Sequence, residues 1–168
     1  MGYTTDFYGR FNLDRPLTEA HATYLSRFSE TRRMARDPKA VESLPDPARE
    51  AVGLPIGPEG DFYVGEVGSS ERIGVPNYNK WPSSQHELWC EWVPTEDNLG
   101  IEWNGAEKFY KYTEWLNYLV ENFLKPWGYK LTGKIQYKGE GPDDAGWLAI
   151  VDGVAQKFPN VSSLPEGL

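Results

Sequence analysis

The sequence has a single cysteine, Cys90, and this scarcity excludes two kinds of small protein. One thiol cannot build an internal disulfide framework, and it cannot supply the paired cysteines of a zinc module. The chain also has no apolar run near the ~18 residues of a membrane-spanning helix. The segment after Met1 lacks a secretory signal pattern. We therefore expect a cytoplasmic protein, monomeric or weakly oligomeric, without a membrane segment.

Positive charge is also in short supply. The chain has 17 Lys and Arg against 25 Asp and Glu, which gives a net charge of −8. Residues 1–58 are balanced, with eight basic and eight acidic side chains, so residues 59–168 carry the whole excess with nine against seventeen. Nonspecific nucleic-acid binding depends on basic surface. The charge balance therefore argues against a nucleic-acid partner.

Catalytic and cofactor motifs are missing as well. The sequence contains no G-x-S-x-G nucleophile motif, no P-loop and no dinucleotide fingerprint. His86 and Cys90 resemble a metal-binding pair, but four residues of a strand span about 13 Å. Two ligands of one ion must each approach it to about 2 Å. We predict no metal site and no cofactor.

Aromatic side chains, by contrast, make up 14% of the chain, and many recur with the period of a strand. Residues 3–13 and 129–138 alternate between apolar and polar side chains, which predicts two half-buried strands. Residues 86–93 and 100–103 are predicted to be two further strands. They flank the polar segment 95–98, which we interpret as a four-residue hairpin loop.

Two helices and a long irregular segment complete the pattern. Thr18 is the predicted N-cap of the first helix, and Asn104 is the predicted N-cap of the second. Between them, residues 37–84 are rich in proline and glycine, which predicts an irregular insertion with one short helical turn at 46–52. The dipeptide Asp152-Gly153 predicts a C-terminal β-hairpin.

The predicted order is strand, helix, strand, strand, helix, strand, followed by a hairpin. This order is typical of the ferredoxin-like split βαβ fold. We therefore predict an α+β protein in which two helices pack on one face of an antiparallel sheet, interrupted by the insertion at 37–84. Residues 1–158 are expected to form a single domain, and residues 159–168 a flexible tail.

The register of the central hairpin identifies a pair of carboxylates. If Pro94 faces Leu99 across the loop, the apolar side chains share one face and Glu91 lies directly opposite Glu102. Two close carboxylates can share a proton or a metal ion and are then suited to acid–base chemistry. The alternative is that both carboxylates are solvated or are neutralised by nearby cations. The sequence leaves both interpretations open.

The open face of the predicted sheet combines aromatic, charged and apolar side chains, as contact surfaces do. Its predicted members are Tyr8, Arg10, Trp89, Glu91, Glu102, Lys130 and Lys134. The alternative is that the insertion or the C-terminal hairpin covers this face, which would make its aromatic residues part of the core.

Five stretches of the chain resemble a set of small uncharacterised proteins encoded by tailed phages and bacteria. These stretches are 1–7, 28–34, 44–56, 88–94 and 123–129. The resemblance extends over nearly the whole chain and implies a phage or prophage context, and hence the host cytoplasm. It implies no activity and no catalytic residue.

Three functions remain open on the sequence. The first is a non-enzymatic module that binds a protein partner, modulates a host factor and uses the open face. The second is a small enzyme that acts through Glu91 and Glu102. The third is a protein that binds single-stranded nucleic acid by stacking bases on Trp89 and Tyr8, which the net charge disfavours.

Overall fold

The structure is a computed structural model that describes residues 2–65, 73–159 and 161–168. It shows helices together with two antiparallel sheets, so the predicted α+β class is confirmed. The chain divides into two compact units. Unit 1 comprises Met1–Pro16 and Glu91–Leu168, and unit 2 comprises Leu17–Cys90. No helix among the described residues has the length and apolarity needed to cross a membrane.

Unit 1 contains two four-stranded antiparallel sheets. In sheet 1 the order is β1-β6-β7-β8, and in sheet 2 it is β3-β4-β2-β5. The strands are β1 (Thr5–Tyr8), β2 (Phe11–Leu13), β3 (Trp92–Pro94), β4 (Gly100–Trp103), β5 (Leu131–Thr132), β6 (Lys134–Gly139), β7 (Ala145–Val151) and β8 (Val154–Phe158).

Each of the two long predicted strands is divided between the two sheets. The chain turns out of sheet 1 at Gly9, with a φ of 109°, and at Gly133, with a φ of 111°. Residues that have a side chain rarely adopt this backbone conformation, whereas glycine adopts it at little cost. The pairs Tyr8 with Gln136 and Asn12 with Thr132 keep one register across the bend. The segments 3–13 and 129–138 therefore form one ribbon, which bends at its glycines to connect the sheets.

The core of unit 1 is aromatic. The ring of Phe7 makes edge-on contacts with Trp92 at 5.2 Å and with Tyr112 at 4.9 Å between ring centroids. Helix α4 (Tyr112–Leu119) continues as a π-helical turn (Val120–Leu124), and its side chains Leu116, Leu119, Phe123 and Leu124 are buried. Aromatic packing of this kind removes a large apolar area from water with few residues.

The predicted beginning of the second helix is wrong. Asn104 accepts a hydrogen bond from the backbone N–H of Ala106 and forms a local turn instead of an N-cap. Helix α4 begins eight residues later, after Lys111, which has a φ of 58°. A side chain that accepts a hydrogen bond from the backbone N–H two residues ahead stabilises a turn, and this turn competes with helix formation. The C-terminal hairpin is as predicted, because Val151 pairs with Val154 around Asp152-Gly153.

Unit 2 contains three helices, α1 (Glu19–Glu30), α2 (Pro38–Val41) and α3 (Pro47–Ala51), and no strand among its described residues. Thr18 is the N-cap of α1, as predicted, and accepts a hydrogen bond from the N–H of His21. Helix α3 confirms the predicted helical turn. Its preceding residue Asp46, however, accepts hydrogen bonds from the Arg49 side chain and the Val64 backbone instead of capping the helix.

A buried arginine organises the segment that follows α1. Arg33 is 1% exposed and donates hydrogen bonds to the carbonyl oxygens of Tyr63 at 3.0 Å and Asp61 at 2.8 Å. Its guanidinium also lies 4.2 Å from the centre of the Phe28 ring. A buried guanidinium with satisfied donors fixes the surrounding backbone in one arrangement.

The ferredoxin-like topology and the role of 37–84 as an insertion are not confirmed. That topology requires one sheet with both helices on one face, whereas the strands form two sheets. Helix α1 belongs to unit 2, where it packs against α3 from the segment 37–84. Helix α4 packs against β8 in unit 1. The expectation of a single domain over 1–158 stays a prediction.

Candidate functional site

The register of the hairpin formed by β3 and β4 separates the predicted carboxylate pair. Val93, and not Glu91, lies opposite Glu102, and Pro94 lies opposite Ile101. The prediction that Glu91 directly opposes Glu102 is therefore wrong. Glu91 precedes β3, and its carboxyl group accepts a hydrogen bond from Trp103 on the neighbouring strand β4.

The loop explains this register. Thr95 pairs with Gly100, so the loop comprises 96–99 instead of 95–98. Asp97 accepts hydrogen bonds from the Thr95 hydroxyl at 2.6 Å and from the N–H of Leu99 at 3.0 Å. Asn98 adopts a φ of 61°, which asparagine tolerates better than most residues. The polar side chains of the loop thus select a turn that hydrophobic patterning alone does not distinguish.

Glu91 is a buried carboxyl group. Only 6% of the residue is exposed, and its Oε1 accepts a hydrogen bond of 3.2 Å from the indole N–H of Trp103. Burial raises the pKa of Glu91 from 4.5 to about 7, although the hydrogen bond from Trp103 acts in the opposite direction. Among the described residues no cation forms an ion pair with Glu91. Glu91 therefore titrates near neutral pH because burial disfavours its charged form.

Arg10 and Glu102 line one polar depression with Asp97. Arg10 forms an ion pair of 3.1 Å with Asp97, and both side chains are well exposed. The hydrogen bond from the Thr95 hydroxyl and that from the Leu99 N–H lower the pKa of Asp97 to about 2, and Arg10 adds to the effect. Asp97 thus stays ionised at physiological pH and is engaged in holding the loop.

The remaining predicted residues are dispersed. Trp89 is half-buried in unit 2, and the predicted strand at 86–93 is a strand only from Trp92 onward. Lys130 is exposed and precedes β5. Lys134 is half-buried in sheet 1, where its ammonium lies 5.1 Å from the centre of the Trp147 ring and donates a hydrogen bond to the carbonyl of Leu168. The predicted seven-residue face does not exist as one surface of one sheet.

One row of side chains, aromatic on three of the four strands and called the aromatic row below, extends across sheet 1. The register aligns Tyr8, Gln136, Trp147 and Phe158 as consecutive cross-strand neighbours. Tyr8 is the most exposed large apolar side chain among the described residues, at 54%. Neighbouring side chains in such a row lie about 5 Å apart at Cβ and form a continuous surface. We call this side of sheet 1 the outer face.

A depression of about 360 Å³ lies along this row. Its lining combines the aromatic row with small and basic residues: Tyr8, Gln136, Tyr137, Lys138, Ala145, Gly146, Trp147 and Pro159. Pro159 can approach β7 because residue 146 is glycine. A Cβ atom on Gly146 would lie 2.3 Å from the Phe158 carbonyl oxygen and 2.9 Å from the Cα of Pro159.

The sequence analysis included Tyr8 in the predicted open face but did not include Gln136 or Trp147. Trp147 could have been found by extending the hairpin register from Asp152-Gly153, which places Trp147 opposite Phe158. Its position beside Gln136 follows only from the pairing of β6 with β7. Hydrophobic alternation shows which side of a strand is buried, but it does not specify which strands are neighbours in a sheet.

No cluster of three or more His, Cys, Asp or Glu side chains suited to a metal ion occurs within residues 2–65, 73–159 and 161–168. Comparison of the chain with protein-family models, with curated proteins and with solved structures found no match. The physical chemistry of the surface therefore carries the functional argument.

Proposed function

We propose that the chain is a non-enzymatic protein-interaction module that binds its partner through the outer face of sheet 1. The observation that carries this proposal is the aromatic row formed by Tyr8, Gln136, Trp147 and Phe158. Tyrosine and tryptophan are enriched at the centres of protein interfaces because they bury a large area with little loss of side-chain entropy. A four-stranded sheet also holds these side chains in fixed positions.

The carboxylates offer less support for an enzyme. Glu91 does not oppose Glu102, so the shared-proton arrangement on which that alternative depended is lost. Glu102 lies instead in the depression with Arg10 and Asp97, where the ion pair already engages the cation. The alternative of base stacking on Trp89 and Tyr8 also loses support, because Trp89 lies in no strand and so is not part of the sheet face that the alternative assumed.

The phage or prophage context implied by the sequence resemblance makes a bacterial host protein the proposed partner. In this proposal the chain acts in the host cytoplasm and modulates the host protein by occupying one of its surfaces. The net charge of −8 is compatible with this role, because it keeps the chain soluble and disfavours nonspecific association with nucleic acid.

In-cell photo-crosslinking tests the proposal. A benzophenone amino acid replaces Tyr8, and a matched variant carries it at Tyr110, an exposed tyrosine outside both sheets. We expect one discrete adduct from position 8 in bacterial cells and none from position 110. Adding Trp147→Ala should abolish the adduct. Equal labelling at both positions, or no adduct at position 8, would overturn the proposed function.

A further inference from the structure

The outer face of sheet 1 has a chemistry that specifies the kind of partner segment it can hold. Its depression of about 360 Å³ is at the lower end of the ~300–1,000 Å³ range of ligand sites. This volume suits one or two side chains of a partner better than a large cofactor. The walls are aromatic at Tyr8 and Trp147, and Ala145 leaves room between the neighbouring long side chains.

The polar side chains around the depression are mostly hydrogen-bond donors. Among the described residues, the Lys138 ammonium, the Tyr8 hydroxyl and the Trp147 indole N–H make no hydrogen bond or ion pair. The Gln136 amide is likewise unengaged and adds a further donor. Donors without an acceptor at the mouth of an apolar depression favour an anionic group attached to an apolar body.

The acidic neighbour of Lys138 does not neutralise it. Asp6 lies directly opposite Lys138 in the register of β1 and β6, yet the two side chains form no ion pair within 4.0 Å. Lys138 is exposed, so an incoming carboxylate can reach its ammonium group. A charge-assisted hydrogen bond to this group is about twice as strong as a neutral one.

The charge of the chain also limits the length of the anion. A polynucleotide brings one phosphate at each nucleotide and depends on many cations along its path. The lining of the depression contains a single lysine, and the chain as a whole carries −8. An isolated carboxylate matches one lysine, whereas a polyanion would be repelled beyond it.

Building on the proposed function, we infer that the partner presents a short acidic segment with an aromatic anchor. Its aromatic side chain fills the depression between Tyr8 and Trp147, and an adjacent carboxylate binds Lys138. The aromatic contact supplies most of the affinity, and the carboxylate supplies specificity.

Peptide titration followed by ¹H–¹⁵N NMR tests this inference on the full chain. The probe is acetyl-Asp-Phe-amide, which carries one carboxylate, and the matched control is acetyl-Asn-Phe-amide, which carries none. We expect saturable shifts of the Trp147 indole N–H and of the Tyr8, Gln136 and Lys138 amides with the acidic probe. The neutral probe should bind about two- to fivefold more weakly, as the loss of one exposed ion pair predicts.

Variants separate the two contacts. Lys138→Gln should weaken the acidic probe about two- to fivefold and remove its advantage over the neutral probe. Lys130→Gln makes the same charge change at another exposed lysine and should leave binding unchanged. Trp147→Ala should abolish the shifts at the depression. Tyr8→Ala provides a second aromatic variant at a residue exposed enough to spare the fold, and it should weaken both probes.

Three results would overturn the inference. The neutral probe could bind as tightly as the acidic one, the shifts could lie outside the depression, or an oligothymidylate of eight nucleotides could bind the same residues more tightly than the peptide. The last result would identify a nucleic-acid site. If crosslinking at position 8 captures a discrete partner while the acidic probe fails, the proposed function stands and only the partner's chemistry is wrong.

Discussion

Replacing Glu91 with glutamine should stabilise the protein at pH 8 and have little effect at pH 4.5. The carboxyl group is 6% exposed, and its pKa is raised from 4.5 to about 7 because burial penalises the charged form. Since the folded state holds the proton more tightly than the unfolded state, stability falls as the pH rises between these values. Full ionisation in the folded state costs about 3 kcal/mol.

The glutamine side chain removes this cost because it is neutral at every pH and can accept the hydrogen bond from Trp103. We therefore expect Glu91→Gln to gain up to about 3 kcal/mol above pH 7 and less than about 1 kcal/mol below pH 5. Glu102→Gln, on the neighbouring strand, is the matched control for the loss of one negative charge.

Urea denaturation at pH 4.5, 6 and 8 measures the difference in the free energy of unfolding. A ¹³C titration of the Glu91 carboxyl carbon provides a direct check, with an expected midpoint near 7. The reasoning is refuted if the stability difference is the same at all three pH values. It is also refuted if the carboxyl titrates below pH 5.

Three further predictions concern the fold. Asn117→Ala should cost about 2 kcal/mol, measured by urea denaturation, because the Asn117 amide binds both the N–H and the C=O of Ala155 on the edge strand β8; unchanged hydrogen exchange at the Ala155 amide would contradict this. Gly153→Ala should cost about 1 kcal/mol through backbone strain alone, since φ is 81° and an added Cβ would meet nothing within 4 Å. Asp97→Asn should lower the melting temperature at pH 7 but not near pH 2, because the lowered pKa confers stability that is complete above pH 3.8 and is lost as the pH falls through about 2; an equal effect at both pH values would count against it.

The exposure of the edges of sheet 1 also bears on the proposed interaction. The Asn117 side chain occupies the backbone groups of Ala155 that a further strand would need. Unpaired edges invite association with other chains, and covering them is a common protection. The partner is therefore expected on the outer face of sheet 1 and not at the β8 edge.

Local chemistry was sufficient to predict several elements. The alternation in 3–13 predicts half-buried strand, and β1 and β2 do alternate between buried and exposed residues, while Thr18 correctly marks the start of α1. Asp152-Gly153 gives the C-terminal hairpin its register. In each case the determining interactions lie within a few residues, so the sequence pattern contains them.

The candidate site depended on contacts that the pattern does not contain. The hairpin register around Asp97 is set by side-chain hydrogen bonds within the loop, and it moves Glu91 away from Glu102. Burial of Glu91 is a consequence of the surrounding packing, which no local motif encodes. The sequence could nominate these carboxylates but could not predict their separate environments.

By itself, the scarcity of cysteine determined that the chain must fold without a disulfide framework, and the abundance of aromatic residues supplied its core. Only the tertiary structure decided that the strands form two sheets instead of the single predicted sheet. Gly9 and Gly133 bend one paired ribbon into two sheets, and β7 then brings Trp147 beside Gln136 and Tyr8. Alternation records which side of a strand is buried, whereas strand order depends on pairing between distant segments. The aromatic row is for that reason a property of the folded chain.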